Sequence, residues 1–229
     1  MDIALTPADA GGNPEMADAA VQPQSPPTIL REDYAPFAWL VPTTRLEFVL
    51  GLEKTRVTAT LDVQRNPDAD PSPTIRLNGD GLALVSLECD GGECEGYMMD
   101  GDDLVVTLPG EKHTLSIVTE LDPSNNSQLM GLYASNGMLC TQCEAEGFRR
   151  ITFFPDRPDV LSTYTVRIDA PEDQFPILLA NGNRTGSGSD PAGPASSHAD
   201  RSPRQSNGAR TRSAGCTDTA SSVVRWPVC

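Results

Sequence analysis

The chain has 229 residues, 38% of them hydrophobic, which is enough for one ordinary domain or two small ones. A formal net charge of -15 and an isoelectric point near 4.4 exclude the long basic surfaces that follow phosphate backbones, so nucleic acid is not expected as a partner. No run of eighteen apolar residues is present, and the N-terminus MDIALTPADAGG carries acids where a signal peptide carries Lys or Arg. The expectation is a protein without membrane contact, in the cytoplasm.

Residues 1–30 mix Ala, Pro, Gly and acids without a helical or strand period, so burial there does not offset the entropy of ordering. A disordered extension is predicted. From residue 31 to 184 the pattern becomes short alternating runs between turn residues, which predicts an all-β domain. In LEFVLGLEKTRVTATLDVQR, the residues Leu46, Phe48, Leu50 and Leu52 share one face of a first strand. Val57, Ala59, Leu61 and Val63 share one face of a second, with Arg56, Thr58, Thr60 and Asp62 opposite and Glu53 and Lys54 at the hairpin.

Further runs follow: TIRLNGDGLALVSLE with Asn78-Gly79 and Asp80-Gly81 as turn formers, then DDLVVTLP, HTLSIVTEL, RRITFF, LSTYTVRID and PILLANG. About nine strands at this spacing predict a sandwich or a saddle-shaped pair of mostly antiparallel sheets. One helical turn is expected at PDRPDVLST, capped by Asp156 with Pro158 in its first position.

Residues 185–222 contain no Val, Leu, Ile, Met, Phe, Tyr or Trp, and a segment without large apolar residues cannot add to a core. Residues 185–229 are therefore predicted to be a disordered tail. They hold five Arg against three Asp in an otherwise acidic chain, and their Arg, Ser, Ala, Gly and Pro bias is the one expected of GC-rich coding sequence read out of frame.

The six cysteines (Cys89, Cys94, Cys140, Cys143, Cys216, Cys229) are too few for a disulfide scaffold of this size and are expected mostly as reduced, buried thiols. Two pairs, Cys89-x4-Cys94 and Cys140-x2-Cys143, have spacings that four-thiolate zinc sites tolerate, which leaves a structural metal site as a minority reading. A thioredoxin-like role lacks its βαβ setting. Only two histidines exist, His113 in a strand and His198 in the tail, so a His-Glu-x-x-His site is arithmetically excluded. His113 is expected to be a half-exposed strand residue. No residue of this chain is expected to be catalytic and none to bind metal.

Gln142, Glu144 and Glu146 alternate, and in an extended backbone they would project to one side together. An amide and one or two carboxylates on one edge suit a substrate ammonium, which offers three donors and a full charge. An acidic loop in an acidic protein is the plainer alternative.

The stretch NSQLMGLYASNGMLCTQCEAEGFRRITFFPDRPDVLSTYTVRI, followed by PILLANGNR, resembles the N-terminal domain of the bacterial alanyl aminopeptidases, the aminopeptidase N family of zinc metallopeptidases. Agreement runs from about Asp33 to Arg184, with Phe153, Phe154 and Pro155 standing where the family has more polar or aliphatic residues. The resemblance implies a β-saddle or sandwich packed over a thermolysin-like catalytic domain. It also implies that Glu144 binds the free α-amino group of a peptide and that Gln142 lines the same pocket, while Glu146, Arg149 and the DRPDV segment hold the loop in shape. Zinc belongs to the full-length family, in a catalytic part whose Gly-Ala-Met-Glu-Asn and His-Glu-x-x-His motifs are not in these 229 residues. The expected partners are peptide N-termini and a separate catalytic-domain fragment, and the chain alone is expected to be inactive. The competing expectation is a non-catalytic β-sandwich interaction module.

Overall fold

A computed structural model describes residues 30–188 and 216–222. The chain forms two compact units, Met1–Tyr34 and Ala35–Cys229. Of the first, the described part is a single 3-10 turn at Arg31–Asp33, and the predicted extension up to residue 29 lies outside the described residues.

Among its described residues the second unit has thirteen strands: β1 Trp39–Val49, β2 Thr55–Arg65, β3 Thr74–Leu77, β4 Ala83–Cys89, β5 Gly92–Glu93, β6 Tyr97–Asp100, β7 Asp103–Thr107, β8 Lys112–Leu121, β9 Gly131–Ser135, β10 Met138–Gln142, β11 Thr163–Ala170, β12 Asn183–Gly188 and β13 Cys216–Ser222. They make an eight-stranded sheet in the order β12-β13-β11-β1-β2-β8-β4-β5, a three-stranded sheet β3-β7-β6, and the hairpin β9-β10. The expected all-β architecture of mostly antiparallel sheets is what the chain adopts, with β1 and β11 as a parallel pair.

The alternation that predicts the first hairpin is the alternation that fills the core. Leu46 lies opposite Ala59 and Phe48 opposite Val57, all four buried, and Leu61 and Val63 continue the same face. Opposing residues of a ladder share one face, so a single buried face fixes the register of both strands. Leu61, Leu115 and Ile117 of the large sheet and Ile75, Leu77, Leu104 and Val106 of the three-stranded sheet belong to one core cluster. Each such side chain contributes roughly 1.5–3 kcal/mol by leaving water. Trp39 is fully buried, donates from Nε1 to the Thr74 carbonyl at 3.0 Å, and carries the Arg65 guanidinium 4.0 Å above its ring.

Several expectations are corrected. The NGDG stretch does not close a hairpin, because β3 and β4 lie in different sheets; it carries the chain from one to the other, and Asn78 forms an antiparallel bridge with Phe154. At PDRPDVLST the chain makes one hydrogen-bonded turn around Pro158, the Val160 amide donating to the Arg157 carbonyl at 3.2 Å, without the predicted cap. Asp156 is drawn inward as the partner of Arg149 (Nε to Oδ2 3.0 Å) and is unavailable as a cap. Of the stretch 185–229, predicted to be a disordered tail, the described residues are those of β13 and most of β12, which hydrogen-bond to β11 and to each other, and the rest lies outside the described residues. Its lack of apolar residues bars it from a core, but pairing at an open strand edge needs only main-chain groups.

Cys89 and Cys94 form a disulfide, so the expectation of reduced thiols fails for this pair. The Asp90-Gly91 turn, with both residues at positive φ, folds β5 back on β4 as a two-residue hairpin loop does. It leaves the two Cα atoms 5.1 Å apart, within reach of a bridge. His113 is also more enclosed than a half-exposed residue: its side chain keeps 10% of its surface. Nδ1 lies 2.7 Å from Asp90 Oδ2 and Nε2 accepts the Gly110 amide at 2.9 Å, which places the ring proton on Nδ1.

Candidate functional site

Hairpin β9–β10 ends in the loop that holds the candidate residues. Gln142 is the last residue of β10. The chain then turns through 143–147, closed by the Gly147 amide donating to the Cys143 carbonyl at 2.8 Å and containing a cis Glu144–Ala145 peptide. A 3-10 turn at Phe148–Arg150 follows. Gln142, Glu144 and Glu146 therefore do not line up on an extended strand as their alternation suggests. The turn separates them, and Gln142 Nε2 donates to the main-chain carbonyl of Glu144 at 3.4 Å.

The turn is this tight because two glycines meet beneath it. A Cβ on Gly147 would stand 2.5 Å from the Gln142 carbonyl oxygen and 3.2 Å from the Gly131 nitrogen; one on Gly131 would stand 2.5 Å from Arg150 Cβ. Gly131 has a φ of 71°, a region that L side chains rarely occupy. Sequence reasoning did not single out these glycines, although Gly131 stands in the GLY signature and Gly147 in EGFR.

The loop is anchored from its C-terminal side. Arg149 donates to Asp156 Oδ2 from its main-chain N (3.2 Å) and its Nε (3.0 Å), and from Nη2 to the Asp156 carbonyl (3.2 Å). The Asp156 amide in turn reaches Asn78 Oδ1 at 3.2 Å, and Arg150 pairs with Asp80 at 2.5 Å. Arg157 and Asp159 pair at 2.8 Å, and Arg149 also holds Glu146, Nη2 to Oε2 at 3.4 Å. The shape-holding role that the resemblance implies for Glu146, Arg149 and DRPDV is present as geometry.

Two glutamates are thus treated differently. Glu146 has a guanidinium partner; Glu144 is exposed and has no basic side chain within ion-pair distance among the described residues. In a loop otherwise laced with ion pairs, Glu144 is a carboxylate without one among the described residues.

Behind the loop lies an apolar cavity of about 190 Å³ lined by Leu132, Leu139, Cys143, Phe148 and Tyr164 among others. Because Leu139, Thr141 and Cys143 line it, strand alternation turns Cys140 and Gln142 to the other face. Cys140 and Cys143 are free thiols directed apart, which removes them as a redox pair. Burial, reinforced by the negative charge of Asp156, pushes the Cys143 thiol up to about 12, and burial likewise raises the Tyr164 hydroxyl well above its usual range.

With Cys89 and Cys94 joined, the four-thiolate zinc reading is lost. Among the described residues no group of three or more His, Cys, Asp or Glu side chains could hold a metal ion. The donor set among the described residues does not fit zinc.

Comparison with known proteins places this arrangement among relatives. Residues 53–207 match the peptidase M1 N-terminal domain. Over 170 residues the chain is 48% identical to aminopeptidase N of Caulobacter vibrioides, covering 72% of this chain and 19% of that protein. It is 41% identical over 165 residues to aminopeptidase N of Escherichia coli K12, again covering 72% of this chain and 19% of the relative. Among solved structures, Legionella pneumophila aminopeptidase A in complex with aspartic acid superposes with a TM-score of 0.71 at 27% identity, covering 86% of this chain and 21% of that one. An M1 zinc metallopeptidase mutant of Deinococcus radiodurans bound to a Tyr-Ser-Ala substrate gives a TM-score of 0.61 at 19% identity, covering 83% and 40%, and shares the fold. The chain spans about a fifth of the length of the curated relatives it matches.

Proposed function

Because the chain belongs to the peptidase M1 N-terminal domain family, we propose that it supplies one wall of a peptide site, in which Glu144 receives the α-ammonium group of a peptide N-terminus. The observation that carries this reading is the contrast between the two loop glutamates: Glu146 is paired with Arg149, and Glu144 has no ion-pair partner among the described residues. A charged ammonium set against an unpaired carboxylate gains a charge-assisted hydrogen bond, roughly twice as strong as a neutral one.

Gln142 plays a supporting part. Its amide donates to the Glu144 carbonyl, leaving its own carbonyl oxygen to accept a second ammonium proton. The hydrolytic chemistry of the relatives named above lies outside this reading, since the donors among the described residues do not assemble a metal site. The substrate class that follows is peptides with a free N-terminus, acted on by a zinc aminopeptidase of which this domain forms part, in the cytoplasm.

The test is a pair of ligands that differ only in charge. A short alanyl peptide amide with a free amine should shift the amide resonances of residues 142–147 on titration, and its N-acetyl counterpart should not. Equal shifts from both would overturn the proposal.

A further inference from the structure

We propose that β6 is a self-pairing edge, through which two copies of this chain join their three-stranded sheets into one six-stranded sheet. This goes beyond the reading of the Glu144 loop and is independent of it.

The argument starts from the ladder. The Thr107 amide donates to the Gly96 carbonyl at 2.7 Å, so Gly96 and Thr107 form a hydrogen-bonded pair. Bonded and non-bonded pairs alternate in an antiparallel ladder, and β6 pairs β7 as Tyr97 with Val106, Met98 with Val105, Met99 with Leu104 and Asp100 with Asp103. Met98 and Asp100 therefore spend their main-chain groups on β7, whereas the N–H and C=O of Tyr97 and Met99 point outward. β6 is the last strand of its sheet, and no main-chain bond to Tyr97 or Met99 from beyond β7 is present among the described residues.

The side chains continue the pattern. Tyr97 and Met99 stand beside the fully buried Val106 and Leu104, so the apolar face of the sheet runs out to this edge, where Tyr97 is 45% and Met99 44% exposed. Met98, on the opposite face, is 61% exposed. Edge strands are commonly protected by Lys, Pro or an inward charge. This one has neither Lys nor Pro, and its single charge, Asp100, is already held by Arg76 at 2.5 Å.

One antiparallel register of a second β6 uses every outward group of Tyr97 and Met99. With Met98 opposite Met98 of the other copy on the two-fold axis, Tyr97 of each copy faces Met99 of the other, and all four outward N–H and four outward C=O groups fall in hydrogen-bonded pairs. Each pair exchanges two bonds, giving about four across the junction. The same register sets Asp100 opposite the partner's Gly96, so the carboxylates do not meet, and brings each aromatic ring to a thioether. Four residues a side bury less than the roughly 1,000 Å² of a stable complex. The net charge of -15 also opposes self-association. The dimer is consequently weak, reversible and favoured by salt.

The test uses the whole chain. Sedimentation velocity at about 0.5 M salt, where screening is short-ranged, should show a concentration-dependent monomer–dimer equilibrium. Met98→Asp, which faces two carboxylates across the axis without touching the core, should abolish it. Under mild oxidation, Met98→Cys should link to its own copy at least ten-fold more than Tyr97→Cys or Met99→Cys, as read by non-reducing peptide mapping that separates Cys140 and Cys143 products. A sedimentation coefficient independent of concentration, association indifferent to Met98→Asp, assembly beyond a dimer, or equal linkage at the three positions would each overturn the proposal.

Discussion

The side-chain amide of Gln142 donates to the main-chain carbonyl of Glu144 across 3.4 Å, so the two residues meet through the backbone and not as parallel side chains. A contact at the long end of the hydrogen-bond range is weak. Gln142→Ala should change unfolding free energy by less than about 0.5 kcal/mol, as surface substitutions usually do. Chemical denaturation measures this; a loss of several times that size would mean that the amide holds the turn, not the glycines beneath it.

Those glycines carry the larger prediction. With Cβ positions 2.5 Å from the Gln142 carbonyl and from Arg150 Cβ respectively, Gly147→Ala and Gly131→Ala each force the loop to move. The expected cost is about 1–3 kcal/mol for overpacking, read as a lowered midpoint of denaturation. Gly131→Ala should cost more, since its positive φ adds strain to the clash.

Asp156 is enclosed and accepts twice from Arg149. Asp156→Ala should destabilise by about 3 kcal/mol, the scale for stripping a largely buried charge of its partner, and should free Glu146 along with Arg149. Thermal unfolding reports the first effect, and exchange of the 144–147 amides reports the second.

The Cys143 thiol titrates near 12 in the folded chain because burial disfavours the thiolate. A folded value raised above the unfolded one contributes stability that is complete below the ordinary thiol range and is lost as pH climbs from there toward about 12. Cys143→Ala should flatten that alkaline decline. At pH near 8, iodoacetamide should label Cys140 well before Cys143, as peptide mapping would show.

How far the sequence reveals this molecule depends on whether a feature is local. The alternation Val57, Ala59, Leu61, Val63 sets a buried face wherever the strand pairs, and it predicts that face correctly. The parallel pairing of Thr43 with Thr163 joins residues far apart in the chain, and no local pattern announces it. Spacing placed Gln142, Glu144 and Glu146 on one edge because it assumes an extended backbone; the turn closed from Gly147 to Cys143 breaks that assumption. Asp156 reads as a helix cap because Asp before Arg-Pro is one in isolation, while in the fold the charge of Arg149, seven residues back, takes it inward. The Cys89–Cys94 bridge was legible in part, since Asp90-Gly91 between them is a hairpin signal, but counting cysteines across the whole chain obscured it.

The central claim is that Glu144, and not its neighbour Glu146, receives the amino terminus. Titrating wild type, Glu144→Gln and Glu146→Gln with the same free-amine alanyl peptide amide, and comparing dissociation constants from loop resonances, tests it most directly. The account predicts a loss of about ten-fold or more for Glu144→Gln, roughly 1.4 kcal/mol, with Glu146→Gln close to wild type. Equal losses in the two variants, or none in Glu144→Gln, would contradict it.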